Sequence, residues 1–180
     1  MIRRSRALGV GLVLALLRGL PALAEVTPGL VLDVTQGVFC GAGSTGSTAA
    51  EDTIAGTIDT YDTTPEFRWV GDTVPAALGI AFGLHITVPA SEAGQIRFEV
   101  THPPMGPDGV TVESWVSDVP QDDRYYTGFH FEKDYELAPG DWSLRGWRGD
   151  RLLYEARFNV VPPELMPEIA GECGGPDLLS

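Results

Sequence analysis

Alternation of apolar and polar side chains over residues 139–161 constrains the fold of this chain more than any other feature. Side chains of a β-strand point alternately to the two faces of its sheet, so an alternating stretch predicts a strand with one buried face. One face of this stretch carries Trp142, Leu144, Tyr154, Ala156, Phe158 and Val160. The other face carries Ser143, Arg145, Glu155, Arg157 and Asn159, with Trp147 and Leu153 among them. We therefore predict a two-stranded hairpin whose polar face also bears a tryptophan and a leucine.

The register of the predicted hairpin follows from its two apolar sets. Directly opposite residues of an antiparallel pair share a face, so the register must match one apolar set to the other. Pairing Trp142 with Phe158 satisfies this requirement. The same register pairs Leu144 with Ala156 and leaves residues 149–151 as a three-residue loop.

The same register places an apolar pair on the outer face of the sheet. Trp147 is predicted to lie opposite Leu153, beside an ion pair between Arg145 and Glu155. An exposed apolar pair of this kind calls for a cover, which is either the C-terminal tail (162–180) or a partner protein. We therefore predict Trp147, Leu153 and Arg145 as candidate partner-binding residues.

The rest of the chain after residue 24 also reads as short strands. A glycine- and serine-rich stretch, 41–53, predicts a flexible loop, and a proline-rich stretch, 102–109, predicts a turn. The predicted strands cover 30–40, 54–61, 66–71, 78–88, 95–102, 110–117 and 125–133. With turns between them and no long helical period, they predict an antiparallel, immunoglobulin-like β-sandwich of about seven to nine strands over 25–161. A closed β-barrel is the alternative.

The first 24 residues have the pattern of an export signal. A basic start, "MIRRSR", precedes an apolar stretch, "ALGVGLVLALL", and small residues follow at Ala22–Ala24. The apolar stretch is shorter than the roughly 20 residues that a membrane span requires, so we expect no membrane insertion. We expect cleavage after Ala24 and a soluble periplasmic domain that begins at Glu25.

The charge of the chain argues against two classes of partner. The formal net charge is −13, and removal of the predicted signal takes away four arginines and no acid, which makes it −17. Nucleic acids and anionic lipid surfaces are bound through Lys and Arg, so an acidic chain is not expected to bind either. The oligomeric state is left open.

Two cysteines remain after the predicted cleavage, Cys40 and Cys173. In an oxidising compartment we expect them to form an intramolecular disulfide that joins the first strand to the tail. Two free thiols or a metal-binding pair are the alternatives, although no C-x-x-C spacing supports a metal.

Few residues suggest catalysis or metal binding. His85 and His130 are predicted on outward faces, where they could approach Glu132 and hold a metal, but solvated histidines without a third ligand are the simpler interpretation. The nearest approximation to a glycosidase pair lies among Asp59, Asp62 and Glu66. We predict no catalytic set, no metal and no cofactor.

Four motifs occur in a fixed order: "VPAALGIAFG" (74–83), "GPDG" (106–109), "YELAPGDWSL" (135–144) and "GDRLLYEARFNV" (149–160). Together they resemble an uncharacterised bacterial family of short exported proteins that is described only as a domain of unknown function. The resemblance spans about residues 70–161 and implies an exported, all-β domain. A basic residue often precedes the Leu-Gly of the family pattern, and Ala77 stands there in this chain. The resemblance implies no activity and no catalytic residue.

These observations favour a non-catalytic role in the cell envelope, in which the domain binds or modulates another envelope protein. The first alternative is a module that inhibits a hydrolase through a loop or an exposed hairpin. The second is a small hydrolase or metal-dependent enzyme whose site the sequence does not reveal.

Overall fold

The computed structural model describes residues 24–27, 30–41 and 44–173. The predicted export signal lies outside the described residues except for Ala24, and so do the last seven residues of the tail. No helix among the described residues is long and apolar enough to cross a membrane.

Short strands make up most of the described chain, as the alternating pattern predicts. The strands are β1 (Glu25–Val26), β2 (Asp33–Cys40), β3 (Gly46–Ala49), β4 (Thr57–Thr60), β5 (Trp69–Val70), β6 (Thr73–Pro75), β7 (Ile80–Thr87), β8 (Gly94–Met105), β9 (Val110–Val119), β10 (Tyr125–His130), β11 (Gly140–Arg148) and β12 (Arg151–Val161). Two 3₁₀ turns, Asp134–Glu136 and Pro163–Leu165, and one short helix, α1 (Pro167–Cys173), complete the described elements.

The strands form two main sheets and a separate hairpin. The first sheet has the order β1-β12-β11-β8-β9, and β6 adds to β12 in parallel. The second sheet has the order β10-β7-β2-β5 and is antiparallel throughout. Strands β3 and β4 pair only with each other among the described residues.

The two sheets pack face to face over one hydrophobic core. The Phe82 ring of the second sheet lies 5.5 Å from the Trp142 ring and 5.1 Å from the Phe158 ring of the first sheet. All three side chains are essentially buried, as their alternation predicts. The prediction of an immunoglobulin-like β-sandwich is confirmed.

A disulfide joins Cys40 at the end of β2 to Cys173 at the end of α1, with 5.0 Å between their Cα atoms. The predicted bridge is therefore confirmed. Short α1 packs against β2 and β6, so the bridge fastens the tail to that end of the sandwich. It closes a loop with a sequence separation of 133 residues. Bridges over long loops stabilise mainly by restricting the unfolded chain, by about 2–4 kcal/mol.

The last hairpin keeps the predicted register over most of its length. Trp142 pairs with Phe158, and Leu144 pairs with Ala156. Arg145 lies opposite Glu155, also as predicted.

The predicted register is wrong near the hairpin tip because of a β-bulge. Gly146 pairs with Tyr154, but the next residue, Trp147, pairs with Leu152. Leu153 is the extra residue of the bulge, and its side chain is fully buried in the core. The loop is therefore the two residues 149–150, and Leu153 is excluded as a partner-binding residue.

The bulge has a steric reason at Gly146. A Cβ atom at this position would lie 2.3 Å from the Tyr154 ring, so the ring occupies the space that a side chain would need. A glycine inside a strand often marks a bulge or a close backbone approach. This glycine is the sequence signal for the change of register.

Trp147 lies on the outer face, as predicted, but the described part of the tail does not reach it. The Arg97 guanidinium lies over the Trp147 ring at 5.3 Å and covers part of it. The tail packs near β6, which pairs with β12 at Val160. Eight residues of strand, about 26 Å, separate Val160 from Leu152, the partner of Trp147. Of the two possible covers, the C-terminal tail therefore does not lie over Trp147 within the described residues.

Two other local predictions are also corrected. Part of the predicted loop 41–53 forms strand β3, which pairs with β4. Strand β8 continues through Pro103 and Pro104 to Met105, so the predicted turn at 102–109 shortens to the residues between β8 and β9. Prolines are tolerated there because the register of β8 and β9 shifts between Thr101 and Met105.

A row of three glycines crosses the second sheet. Gly37 pairs with Gly83, which pairs with Gly128. The Phe67 ring fills the space above Gly37, where a Cβ atom would lie only 2.3 Å from it. The segment 61–68 therefore covers part of the outer face of this sheet, and its central strand β7 is buried on both faces.

The corrected register predicts opposite effects for two neighbouring leucines. Leu153→Ala should lower the free energy of unfolding by about 2–5 kcal/mol, because it opens a cavity in the core. Leu152→Ala, the matched control on the outer face, should cost no more than about 1 kcal/mol. Urea unfolding of both variants measures the difference. Equal losses, or a larger loss at Leu152, would contradict the bulge.

Candidate functional site

One side of the sandwich is open between its two edge strands. Among the described residues, β9 pairs only with β8 and β10 pairs only with β7. The segment 44–65, which includes the β3–β4 hairpin, folds over this gap. The backbone N–H of Ser114 donates to the Asp52 carbonyl at 3.1 Å, and the N–H of Ile54 donates to Oε2 of Glu113 at 2.7 Å. These bonds fix the covering segment to β9.

A cavity of about 390 Å³ lies beneath the covering segment. Ligand sites of small molecules usually measure about 300–1,000 Å³, so this cavity has the size of a ligand site. Its polar and aromatic lining includes Asp59, Tyr61, Glu113, Trp115, Tyr125, Tyr126, Phe129, His130, Glu132, Tyr135 and Glu136.

Negative charge dominates the cavity. Four carboxylates line it, and none of the described lining residues is Lys or Arg. Burial raises the pKa of Glu136, and the nearby charges of Glu132 and Glu113 raise it further. Bonds from the backbone N–H groups of Glu132 and Lys133, at 2.6 and 2.8 Å, act in the opposite direction. The cavity therefore offers an environment that favours a positively charged group.

Glu113 also faces a buried histidine. Its Oε1 lies 3.2 Å from Nε2 of His102, and both side chains are almost completely buried. Nδ1 of His102 donates to the Pro103 carbonyl at 2.8 Å. His102 lies inside strand β8 and contacts Glu113, which lines the cavity.

A second histidine lies between two carboxylates at one end of the cavity. Nδ1 of His130 is 3.3 Å from Oδ2 of Asp59 and 3.8 Å from Oε1 of Glu132. The potential ligand atoms of these three residues all lie within 4.8 Å of one another. Burial raises the pKa of the adjacent Tyr61 to about 12, and the charges of Asp59 and Glu132 contribute to this shift.

Aromatic rings form much of the cavity wall. Tyr125 stacks on Phe98 at 5.8 Å, and Trp115 packs against the same ring at 5.8 Å. On the other face of β10, the Tyr126 hydroxyl donates to the Phe82 carbonyl at 3.2 Å. Contacts with the core therefore hold these walls in place.

His85 is buried, which corrects the prediction of a solvated position. Phe67 stacks on its ring at 3.9 Å, and its Nε2 lies 2.7 Å from the Pro65 carbonyl. His85 is opposite Tyr126, four residues along β10 from His130, so the two imidazoles are about 13 Å apart along the strand. The possible cluster of His85, His130 and Glu132 does not form, and Asp59 stands in the place of His85.

Two of the predicted partner-binding residues remain on the outer face of the first sheet. Arg145 lies 3.3 Å from Glu99 and 3.3 Å from Glu155. The hydrogen bond from Arg145, followed by that from Arg157, lowers the pKa of Glu155 against the effect of burial. Arg145 is therefore engaged in an ion-pair network. On the same face, the Trp147 ring lies beneath the Arg97 guanidinium.

Sequence reasoning missed Glu113 and Glu136 as cavity residues, and His102 as the buried neighbour of Glu113. Glu113 shares a face of β9 with Trp115, and this face points inward while Val112 and Val116 point outward. The sequence signal for an inward-facing Glu113 was Trp115, a large aromatic residue on the same face of β9. Of the acids considered for a glycosidase pair, Asp59 lines the cavity, and Glu66 forms an ion pair with Arg124.

Comparisons with known proteins found a matching family model and a similar solved structure. The family model described as "Domain of unknown function (DUF3859)" matches residues 29–160. No curated protein matches the chain. The crystal structure of an immunoglobulin-like protein from Pseudomonas aeruginosa is similar, with 21% sequence identity and a TM-score of 0.48. This similarity covers 79% of the present chain and 100% of the other.

The buried position of His85 predicts a specific pH dependence. Burial lowers the pKa of this imidazole, so on acidification the unfolded chain takes up the proton before the folded protein does. Stability is therefore lost as the pH falls below the unfolded value of about 6.5. His85→Gln should lose less stability than the wild-type protein between about pH 7.5 and about pH 5. Urea unfolding at the two pH values measures this, and equal losses would contradict the assignment.

Proposed function

This chain belongs to the family described as a domain of unknown function (DUF3859), and from that premise we propose that it is a non-catalytic binding module of the cell envelope. Its cavity binds a small positively charged organic ligand. The observation that carries this proposal is the acidic, aromatic cavity between β9 and β10. The export pattern at residues 1–24 supports a location in the periplasm.

The chemistry of the cavity favours an organic cation. Its described lining holds four carboxylates and no Lys or Arg. Aromatic faces attract cations, and the attraction grows when water is excluded. An amine or a quaternary ammonium group would therefore interact with both the acids and the rings. Thr60 and Thr127 also line the cavity.

The contacts of the buried polar groups favour binding over catalysis. Oxygen atoms of Glu113 and Glu136 already accept bonds from backbone N–H groups. Within the described residues, no hydroxyl group forms a hydrogen bond with the imidazole of His102 or His130. A hydrolase that uses a serine-type nucleophile requires such a pair. This supports the non-catalytic role over the alternative of a small hydrolase.

The cavity proposal predicts binding of simple organic cations that depends on Trp115. A series of aliphatic diamines and a tetraalkylammonium ion should bind the untagged protein in isothermal titration calorimetry. Trp115→Leu keeps an apolar side chain but removes the aromatic face, so it should weaken binding at least severalfold. Trp69→Leu removes a tryptophan outside the cavity lining and is the matched control.

Several outcomes would contradict this proposal. One is the absence of binding by every cation in the series at millimolar concentration. Another is equal binding by Trp115→Leu and the wild-type protein. Neutral analogues of the same size that bind as tightly as the cations would also count against it, because the acids would then have no role.

A second candidate role is the docking of another envelope protein on the outer face of the first sheet. Across that face Val116 lies opposite Arg97, and Arg97 lies opposite Trp147, whose other neighbour is Leu152. Val116 is 57% exposed, and Val112 on the same edge strand is 48% exposed. Aromatic and arginine side chains are frequent anchors of protein interfaces, so this row favours a protein partner.

The docking role predicts a loss of capture without a loss of stability. Val116→Asp and Trp147→Ala should abolish crosslinking to a partner in the native periplasm, while Val116→Asp should change the melting temperature little because the side chain is exposed. Val70→Asp, at an exposed residue of the other sheet, is the control. Equal capture by the wild-type protein and both variants would exclude this face. A captured hydrolase would favour the inhibitor-type alternative.

A further inference from the structure

We propose that Asp59, His130 and Glu132 form a site for a divalent metal ion of the zinc type at one end of the cavity. The inference rests on the proposed cation-binding role of that cavity and names an inorganic cation for it. The sequence argument against a metal took His85 as the neighbour of His130. In the structure the β3–β4 hairpin brings Asp59 to that position instead.

The spacing of the three side chains suits a tetrahedral ion. Nδ1 of His130 lies 3.3 Å from Oδ2 of Asp59 and 3.8 Å from Oε1 of Glu132. Zinc binds imidazole nitrogen and carboxylate oxygen at about 2.0–2.2 Å, which places neighbouring ligand atoms about 3.3–3.6 Å apart. Only small rotations of the side chains are therefore needed to close the site.

Two of the three ligands are already oriented. The Ser44 hydroxyl donates to Oδ1 of Asp59 at 3.1 Å, which leaves Oδ2 directed towards His130. The imidazole of His130 packs against Gly41, where a Cβ atom would lie 2.1 Å from Nε2. Contacts outside the ligand set usually fix metal ligands in this way. Glu132 has a half-exposed side chain and supplies the adjustable third ligand.

The surrounding charge also favours a cation at this position. Asp59 and Glu132 place carboxylate oxygens 3.3 and 3.8 Å from Nδ1 of His130, and the described cavity lining adds the carboxylates of Glu113 and Glu136 but no Lys or Arg. A divalent ion would place two positive charges among these carboxylates, and its fourth coordination position is left for water or a ligand in the cavity.

Metal titration of the untagged full chain tests the site. Zn²⁺ should bind with a stoichiometry of one and a dissociation constant in the micromolar range or below, and Co²⁺ should give the strong visible absorption of tetrahedral coordination. Asp59→Asn, His130→Gln and Glu132→Gln should each weaken Zn²⁺ binding at least tenfold. Asp62→Asn, an exposed acid of the same segment, and His85→Gln are the matched controls, and circular dichroism verifies that every variant is folded.

The results separate the metal site from the organic cation. Absence of Zn²⁺ binding up to millimolar concentration would overturn the metal site, and diamine binding that depends on Trp115 would still support the proposed function. Zn²⁺ binding that survives all three substitutions would also overturn it, because the ion would lie elsewhere. Zn²⁺ binding lost in the three variants but kept in both controls would support the site, even if no organic cation binds.

Discussion

The contact of Phe82 with Trp142 and Phe158 joins the two sheets, and the rest of the structure depends on it. Phe82 comes from the centre of the second sheet, whereas the other two residues form a cross-strand pair at the centre of the first. Edge-on aromatic contacts of this kind add to the burial of large apolar surfaces. They fix how one sheet lies on the other, and therefore how far apart the edge strands β9 and β10 stand.

The cavity is a consequence of that arrangement. Core packing holds the two sheets together at their centres. On one side, the edge strands β9 and β10 do not pair with each other, and a gap remains between them. The chain fills this gap with the segment 44–65, which bonds to β9 through Asp52 and Ile54. This segment does not fill the gap completely. The cavity that remains is lined by acidic residues from both edges of the sandwich and from the β3–β4 hairpin. Groups that are distant in sequence, such as Asp59 and His130, meet only because of this cover.

Sequence alone predicts the architecture well because burial between two sheets requires period-two alternation. The register of the last hairpin follows from matching its apolar sets, and it holds from Trp142 as far as Gly146. Beyond that point it fails, because the Tyr154 ring needs the space over a glycine and one residue bulges. Alternation carries no information about such steric demands.

The cavity residues were harder to predict for a different reason. His85 alternates with the core residues of β7 and was therefore expected in solvent, but the segment 61–68 covers the outer face with Phe67. The cover over His85 depends on the row of Gly37, Gly83 and Gly128. The space that this row leaves for Phe67 can be recognised only when the three strands are paired. Asp59 lies in a short strand of low hydrophobicity, and nothing in the local sequence relates it to His130.

The position of β12 has a consequence for when this protein can fold. This last strand lies between β11 on one side and β1 and β6 on the other, so the first and last strands of the domain are direct neighbours. Pairing between distant parts of a chain slows folding, because the entropy cost of closing a large loop comes before any stabilising contact forms. The first sheet cannot be completed until nearly the whole domain has been synthesised. For the periplasmic location proposed above, such a delay would keep the chain competent for translocation until β12 has been synthesised, and oxidation of Cys40 and Cys173 would then secure the finished fold.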